Sequence, residues 1–297
     1  MEAESWKIYS RNNQFECFDE SKEKNWSGPF FFVQGADIQF GMISKLEKQE
    51  QINWEAEKKL AEAIVKKVNA MRPRPRFFII CGDLCDAFPV TEQKIRDAQV
   101  ADFKRIFSKV DKEVPLVCVC GNHDIGNTPT HETVQQYRTT FGDDYFSFYC
   151  GGILFLVINS QYYFDPSQVL DLADEHNKWI EKKFEEAKKN GVKRLVIFQH
   201  IPWFINSVDE KEDPIFTLKP EVRRKWLDKF KEGGVEAIFC GHRHMNGGGE
   251  YRGMKIVVTT AIGAQLGNDK SGARIVKMLE NKIDHKYYAI DDLPLKN

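Results

Sequence analysis

The chain has 297 residues, with 43 Lys+Arg against 44 Asp+Glu and a formal net charge of −1. Hydrophobic residues make up 42% and aromatics 12%, which supports a sizeable buried core and excludes a mainly disordered chain. The balanced charge excludes a nucleic-acid binder working by bulk phosphate neutralisation, and no apolar run approaches the ~18 residues of a membrane span.

Residues 1–28 are polar, with scattered Trp6, Phe15, Phe18 and Trp26. They read as an N-terminal extension packing on a body formed by residues 29–297, and they show no apolar signal region. From Pro29 a rhythm begins. Phe30–Val33 is a short apolar run that ends in Gly35-Ala36-Asp37. Leu60, Ile64, Val65 and Val68 then recur at helical spacing, and Pro73 and Pro75 stop that helix. Phe77–Cys81 ends in Gly82-Asp83, and Val100, Phe103, Phe107 and Val110 mark the next helix. Val114–Cys120 ends in Gly121-Asn122-His123-Asp124.

Tyr145–Tyr149 and Ile153–Ile158 predict a hairpin across Gly151-Gly152. Leu172 to Phe184 and Val222 to Phe230 carry helical stripes. Leu195–Phe198 ends in Gln199-His200, and Ala237–Cys240 ends in Gly241-His242-Arg243-His244. Lys255–Thr260 and Arg274–Met278 read as further strands. Gly247–Gly249 lies too far from any helix start to cradle a phosphate, so it reads as a tight turn. The alternation predicts α/β sheets flanked by helices in one domain. The seven cysteines form no C-x-x-C pair, and Cys81, Cys118, Cys120 and Cys240 lie in apolar runs. Reduced thiols and a cytoplasmic location follow as expectations.

Five strand-like runs therefore stop at Asp, Asn or His, and four of the seven histidines fall in those stops. In α/β folds, sites gather at the carboxyl ends of strands. Carboxylates, an amide oxygen and imidazoles are the donors that suit Mn, Fe or Zn ions. His131, His176 and His285 lack such a setting and read as surface or structural, with His176 on a helix stripe. The acidic run Asp209–Asp213 follows His200 closely. It reads as a solvated loop, with rimming the cleft as the sharper alternative.

Asp37-Ile38-Gln39, Gly82-Asp83-Leu84-Cys85-Asp86, Gly121-Asn122-His123-Asp124, His200 and Gly241-His242-Arg243-His244 resemble, in order, the blocks of the calcineurin-like metallophosphoesterases. The resemblance covers about residues 29–262. It implies a four-layer α-β-β-α sandwich of two mixed sheets, and a metal-dependent phosphomonoesterase acting on phosphoserine or phosphothreonine in proteins. It also implies two divalent cations (Mn, Fe, Zn or Mg) with a bridging hydroxide as the in-line nucleophile. On that resemblance Asp37 and His244 hold the first metal, and Asn122, His200 and His242 hold the second, with Asp83 as bridge. His123 assists the leaving oxygen, and Asp86 orients His123.

Two positions depart from the family pattern. Gln39 stands where a His ligand is usual, so it is a weaker first-metal ligand or lies behind one. Ala87 stands where the phosphoprotein phosphatases carry a phosphate-clamping Arg, which leaves Arg243 as the nearest candidate clamp. A small-molecule nucleotide or phosphodiester esterase is the alternative activity. A metal-poor scaffold is the alternative from another class. The expected partner is a phosphoprotein, with no nucleic acid and no membrane. Oligomeric state has no signature in the sequence.

Overall fold

Period-two alternation decides which face of a sheet each strand residue occupies, and here it sorts the core into three slabs. The computed structural model describes residues 6–296. In chain order the strands are β1 (Ser10–Arg11), β2 (Gln14–Phe15), β3 (Phe30–Gly35), β4 (Phe78–Cys81), β5 (Leu116–Val119), β6 (Phe146–Cys150) and β7 (Ile153–Val157). They continue as β8 (Leu195–Phe198), β9 (Val235–Cys240), β10 (Gly247–Tyr251), β11 (Met254–Val258), β12 (Gly272–Leu279) and β13 (Lys282–Ala289). The helices are α1 (Glu20–Glu23), α2 (Met42–Leu46), α3 (Glu55–Ala70), α4 (Gln93–Phe107) and α5 (Asn122–Ile125). The rest are α6 (His131–Phe141), α7 (Gln161–Phe164), α8 (Leu170–Lys189) and α9 (Pro220–Glu232).

One sheet has the order β13-β12-β3-β4-β5 and the other β1-β2-β6-β7-β8-β9-β11-β10. Both are mixed. β3, β4 and β5 run parallel, with β12 antiparallel to β3. β7, β8, β9 and β11 run parallel, with β6 and β10 antiparallel at either side. Phe32, Ile79, Val276, Phe155, Phe198 and Phe239 fill the slab between the sheets. Their strand neighbours Phe31, Ile80 and Ile275 face outward onto Ile64, Val68, Phe103 and Phe107 of α3 and α4. On the other side Leu156, Ile197 and Ile238 face Ile180, Leu227 and Phe230 of α8 and α9. This is the four-layer α-β-β-α arrangement. Its middle is aromatic: Phe32 stacks on Phe77 at 4.6 Å, and both meet Phe155 and Phe198 edge-on. Such contacts give the two sheets a fixed relative placement.

Residues 1–5 of the predicted extension and residue 297 of the predicted body lie outside the described residues. Residues 6–28 supply β1 and β2, the end strands of the eight-stranded sheet. β2 pairs with β6 at Gln14 and Ser147, and Trp6 packs edge-on against Phe103 and Phe141. The Arg72–Pro73 bond after α3 is cis. All seven cysteines are free, and six are buried. Among the described residues no helix is long and apolar enough to cross a membrane.

Gly247–Gly249 is not a turn. It begins the edge strand β10, antiparallel to β11. Gly248 has φ +125°, and a Cβ there would meet the Ile256 carbonyl at 2.1 Å. The glycines serve close strand approach, which from the sequence looks the same as a turn. β13 and α6 have no apolar run to announce them. β13 is a half-polar edge strand, and α6 buries Val134, Tyr137 and Phe141 among polar neighbours.

Candidate metal centre

Five parallel strands from the two sheets deliver their carboxyl ends to one place. β3 leads to Asp37, β4 to Asp83, β5 to Asn122, β8 to His200 and β9 to His242 and His244. Each motif glycine is where another candidate ligand presses in. A Cβ on Gly82 would lie 2.3 Å from His200 Nδ1, one on Gly121 2.1 Å from Asp83 Oδ1, and one on Gly241 2.6 Å from Asp37 Oδ2. The tight loops also force strain. Asp37, Gln39, Asp83, His242 and His244 all have φ between 45° and 72°. That left-handed backbone costs a non-glycine residue roughly 1 kcal/mol.

His200 Nδ1 lies 2.8 Å from the Cys81 carbonyl, so in the neutral ring Nδ1–H donates there and Nε2 keeps a lone pair. That Nε2 faces Asp83 Oδ2 at 3.3 Å, Asn122 Oδ1 at 3.0 Å and His242 Nδ1 at 3.0 Å. His242 donates Nε2–H to the Ile215 carbonyl at 2.8 Å, so its Nδ1 also presents a lone pair. Asn122 donates its amide to Asn127 Oδ1 at 2.9 Å, which turns its own oxygen inward. Four lone pairs converge in a buried space, and this donor set fits a divalent cation.

Electrostatics tell the same story. Burial opposes charge on His200, yet Asp83 and Asp37 outweigh it and push the ring up to about 9. Burial and the facing His200 push His242 down to about 3. Burial would raise Asp83, but His200 and His123 hold it well below the usual carboxylate range.

Beside this group lie Asp37, His244 and Gln39. His244 Nδ1 lies 2.6 Å from the Ala264 carbonyl, and its Nε2 is 3.5 Å from Asp37 Oδ1. Asp37 Oδ1 and Gln39 Oε1 are buried acceptors without a hydrogen-bond donor among the described residues. Burial pushes Asp37 up to about 6, against the pull of His244 and His200. Asp37 Oδ2 accepts the His242 backbone N–H at 2.8 Å, which ties the two groups together.

His123 lines the same cleft, about 390 Å³ in volume. Its backbone N–H donates to Asp83 Oδ1 at 2.9 Å, and its ring stacks on Phe88 at 4.4 Å. Its Nδ1 meets the Asp86 main-chain carbonyl at 2.6 Å, whereas the Asp86 carboxylate is 3.6 Å away. The expected orienting contact is thus made by backbone. The Asp86 carboxylate instead accepts from Gln39 Nε2 at 3.2 Å and pairs with Lys45 at 2.7 Å. That arrangement commits the Gln39 amide nitrogen and leaves its oxygen free. Arg243 sits against the wall of the cleft. Its guanidinium lies over the Phe216 ring at 5.5 Å, and it is not among the lining residues.

Three features escaped the sequence reading. Buried Arg96 donates to the carbonyls of Ala87, His123 and Asp124, and so fixes both loops that carry Asp83 and His123. Its place seven residues before Phe103 on the buried face of α4 was the available signal. Buried Asp124 accepts from Gly121 N–H at 2.8 Å and Leu84 N–H at 3.2 Å, which clamps those two loops. The segment Pro214-Ile215-Phe216 forms a wall of the cleft, with no motif to mark it. Of the acidic run before it, Asp209 pairs with Arg224, Glu210 accepts the N–H groups of residues 205–207, and Asp213 accepts those of Ile215 and Phe216. That run is largely spent on local structure.

The family model for calcineurin-like phosphoesterases matches residues 23–246. The human serine/threonine-protein phosphatase CPPED1 is 44% identical over 97% of this chain and 92% of its own length. The Danio rerio protein of that name is 40% identical over 98% of this chain and 94% of its own. Among solved structures, a dimetal phosphatase from Danio rerio has a TM-score of 0.63 at 15% identity, covering 88% of this chain and 96% of that one. A purple acid phosphatase from yellow lupin scores 0.62 at 13% identity, covering 90% of this chain and 52% of that one. These two likenesses concern the fold.

Proposed function

Because the chain belongs to the calcineurin-like phosphoesterase family and is a metal-dependent phosphoesterase, we propose that it hydrolyses phosphoserine and phosphothreonine in proteins at a dinuclear centre. The carrying observation is the convergence of His200 Nε2, Asp83 Oδ2, Asn122 Oδ1 and His242 Nδ1, with Asp37 Oδ1, His244 Nε2 and Gln39 Oε1 beside them. The first group, Asp83 included, would hold one cation, and the second group would hold the other. The full-length likeness to relatives named serine/threonine-protein phosphatase supports the substrate class. Seven free cysteines support a reducing location, the cytoplasm.

Divalent cations bound there supply positive charge to the phosphoryl oxygens and acidify water for attack on phosphorus. The rest is the work of the chain's own residues. His123 has Nδ1 committed to the Asp86 carbonyl, so Nε2 is the atom that hydrogen-bonds or protonates the leaving oxygen. Phe88 shields one face of that ring from water. Lys45 and Asp86 hold the Gln39 amide in one orientation.

The test is an assay of para-nitrophenyl phosphate, its bis-ester and a phosphoserine peptide with added Mn²⁺ or Mg²⁺. Turnover of the monoester and the peptide, abolished by a chelator, is the expected result. Preference for the bis-ester would replace this reading with a diesterase, and silence with every metal would replace it with a scaffold.

A further inference from the structure

We propose that the mouth of the cleft selects an apolar side chain next to the phosphorylated residue, through Ile215, Phe216 and Leu266. This rests on the phosphoprotein reading above and adds a sequence preference to it. Single exposed apolar side chains are ordinary on a protein surface. These are not scattered. Ile215 is 64% exposed and Leu266 40% exposed, and both line the cleft that contains Asp83, His123 and His242. Met42, Phe164 and Phe216 complete an apolar rim around the same opening.

The rim is built, not loose. Asp213 Oδ1 accepts the N–H groups of both Ile215 and Phe216 at 3.1 Å. Arg223, fully buried on α9, donates to the carbonyls of Val208, Glu210 and Leu218, which bracket the segment. The Ile215 carbonyl takes the Nε2–H of His242 at 2.8 Å. One residue therefore turns its backbone to a candidate metal ligand and its apolar side chain to solvent. The height of that side chain above the donors is set by the same bond that orients His242.

Charge gives an acidic neighbour little to bind. No Lys or Arg is among the described residues lining the cleft. The Arg243 guanidinium lies over the Phe216 ring. An acidic neighbour of the phosphorylated residue would meet Asp213 at the foot of the same segment, while the Arg243 cation is engaged by the Phe216 ring. A Leu or Phe there removes Ile215 and Leu266 from water.

The experiment compares two phosphoserine peptides that differ only in the residues flanking the phosphoserine, Leu in one and Asp in the other. Each is assayed with the metal-loaded wild type and with Ile215→Ser and Leu266→Ser. The readout is the ratio of kcat/KM between the two peptides within each enzyme, so any change in metal loading cancels. Wild type is expected to favour the Leu peptide by about tenfold, the scale of one partly buried aliphatic contact, and each variant to lower the ratio severalfold. Equal turnover of both peptides by wild type would overturn the preference and leave the phosphoprotein reading standing. A ratio unchanged in both variants would overturn the assignment to this rim. Turnover of para-nitrophenyl phosphate with neither peptide touched would remove the phosphoprotein reading, and this inference with it.

Discussion

Replacing Gly121 with Ala tests whether the motif glycines exist to make room for ligands. Gly121 has φ −109° and ψ 178°, an extended conformation open to any residue, so the backbone does not require glycine. Space does. The added Cβ would sit 2.1 Å from Asp83 Oδ1 and 2.3 Å from the Asp83 backbone nitrogen. Ordinary carbon–oxygen contact is about 3.3 Å, so something must move by roughly 1 Å. The two loops cannot simply part, because Asp124 grips Gly121 N–H and Leu84 N–H together. Asp83 is the group that gives way, and its bond from His123 N–H goes with it.

Overpacking of this kind costs about 1–3 kcal/mol, offset by about 0.4–1 kcal/mol from a stiffer unfolded chain. The melting temperature should therefore fall by about 0–5 °C for a chain of this size. The larger effect falls on the cations. Displacing one ligand should weaken Mn²⁺ binding about 10–100-fold by calorimetry, and lower turnover about 100-fold at saturating metal. A Gly121→Ala protein that melts and binds Mn²⁺ like wild type would refute the reasoning. The Asp83 carboxylate would then not occupy the place the structure gives it.

Two further outcomes follow from the geometry. His123→Ala should lower turnover about 10²–10⁴-fold with metal content almost unchanged, since only its backbone N–H touches Asp83; elemental analysis beside kinetics checks this. His176 is fully buried against the rings of Tyr145, Tyr162 and Tyr163, and burial pushes its pKa down to about 4. The folded protein keeps it neutral while the unfolded chain protonates it below about 6.5, so its contribution to stability is full above that pH and is lost as pH falls toward 4. The loss is about 3 kcal/mol, and urea unfolding of His176→Gln should show a flatter slope than wild type between pH 6.5 and pH 4; equal slopes would contradict it.

What could be read from the chain was the set of strand ends. An apolar run of four to six residues closed by Gly-Asp, Gly-Asn or Gly-His is a local pattern, and the structure brings Asp37, Asp83, Asn122, His200, His242 and His244 together as that pattern implied. Partners supplied by distant backbone were not legible. The carbonyl of Cys81 reaches His200 across 119 residues, and that of Ile215 reaches His242 across 27, and a carbonyl carries no residue type to recognise. For the same reason the Asp86 contact was assigned to its carboxylate, when its main chain makes it. Arg243 was legible as a cation beside the site but not in its direction, because Phe216 belongs to a loop without a motif.

The costs concentrated at the site argue for one remedy. Left-handed backbone at five candidate ligands, buried acceptors at Asp37 Oδ1 and Gln39 Oε1, and facing lone pairs on His200 and His242 each disfavour the folded state on their own. Hydrogen-bond donors would relieve the acceptors but not the facing imidazoles. A proton on His200 relieves the imidazoles but leaves Asp37 Oδ1 and Gln39 Oε1 without donors. Positive charge without a directional hydrogen answers both the acceptors and the facing imidazoles, and a divalent cation has that property. The aromatic slab between the sheets fixes the relative placement of the strands that carry these loops.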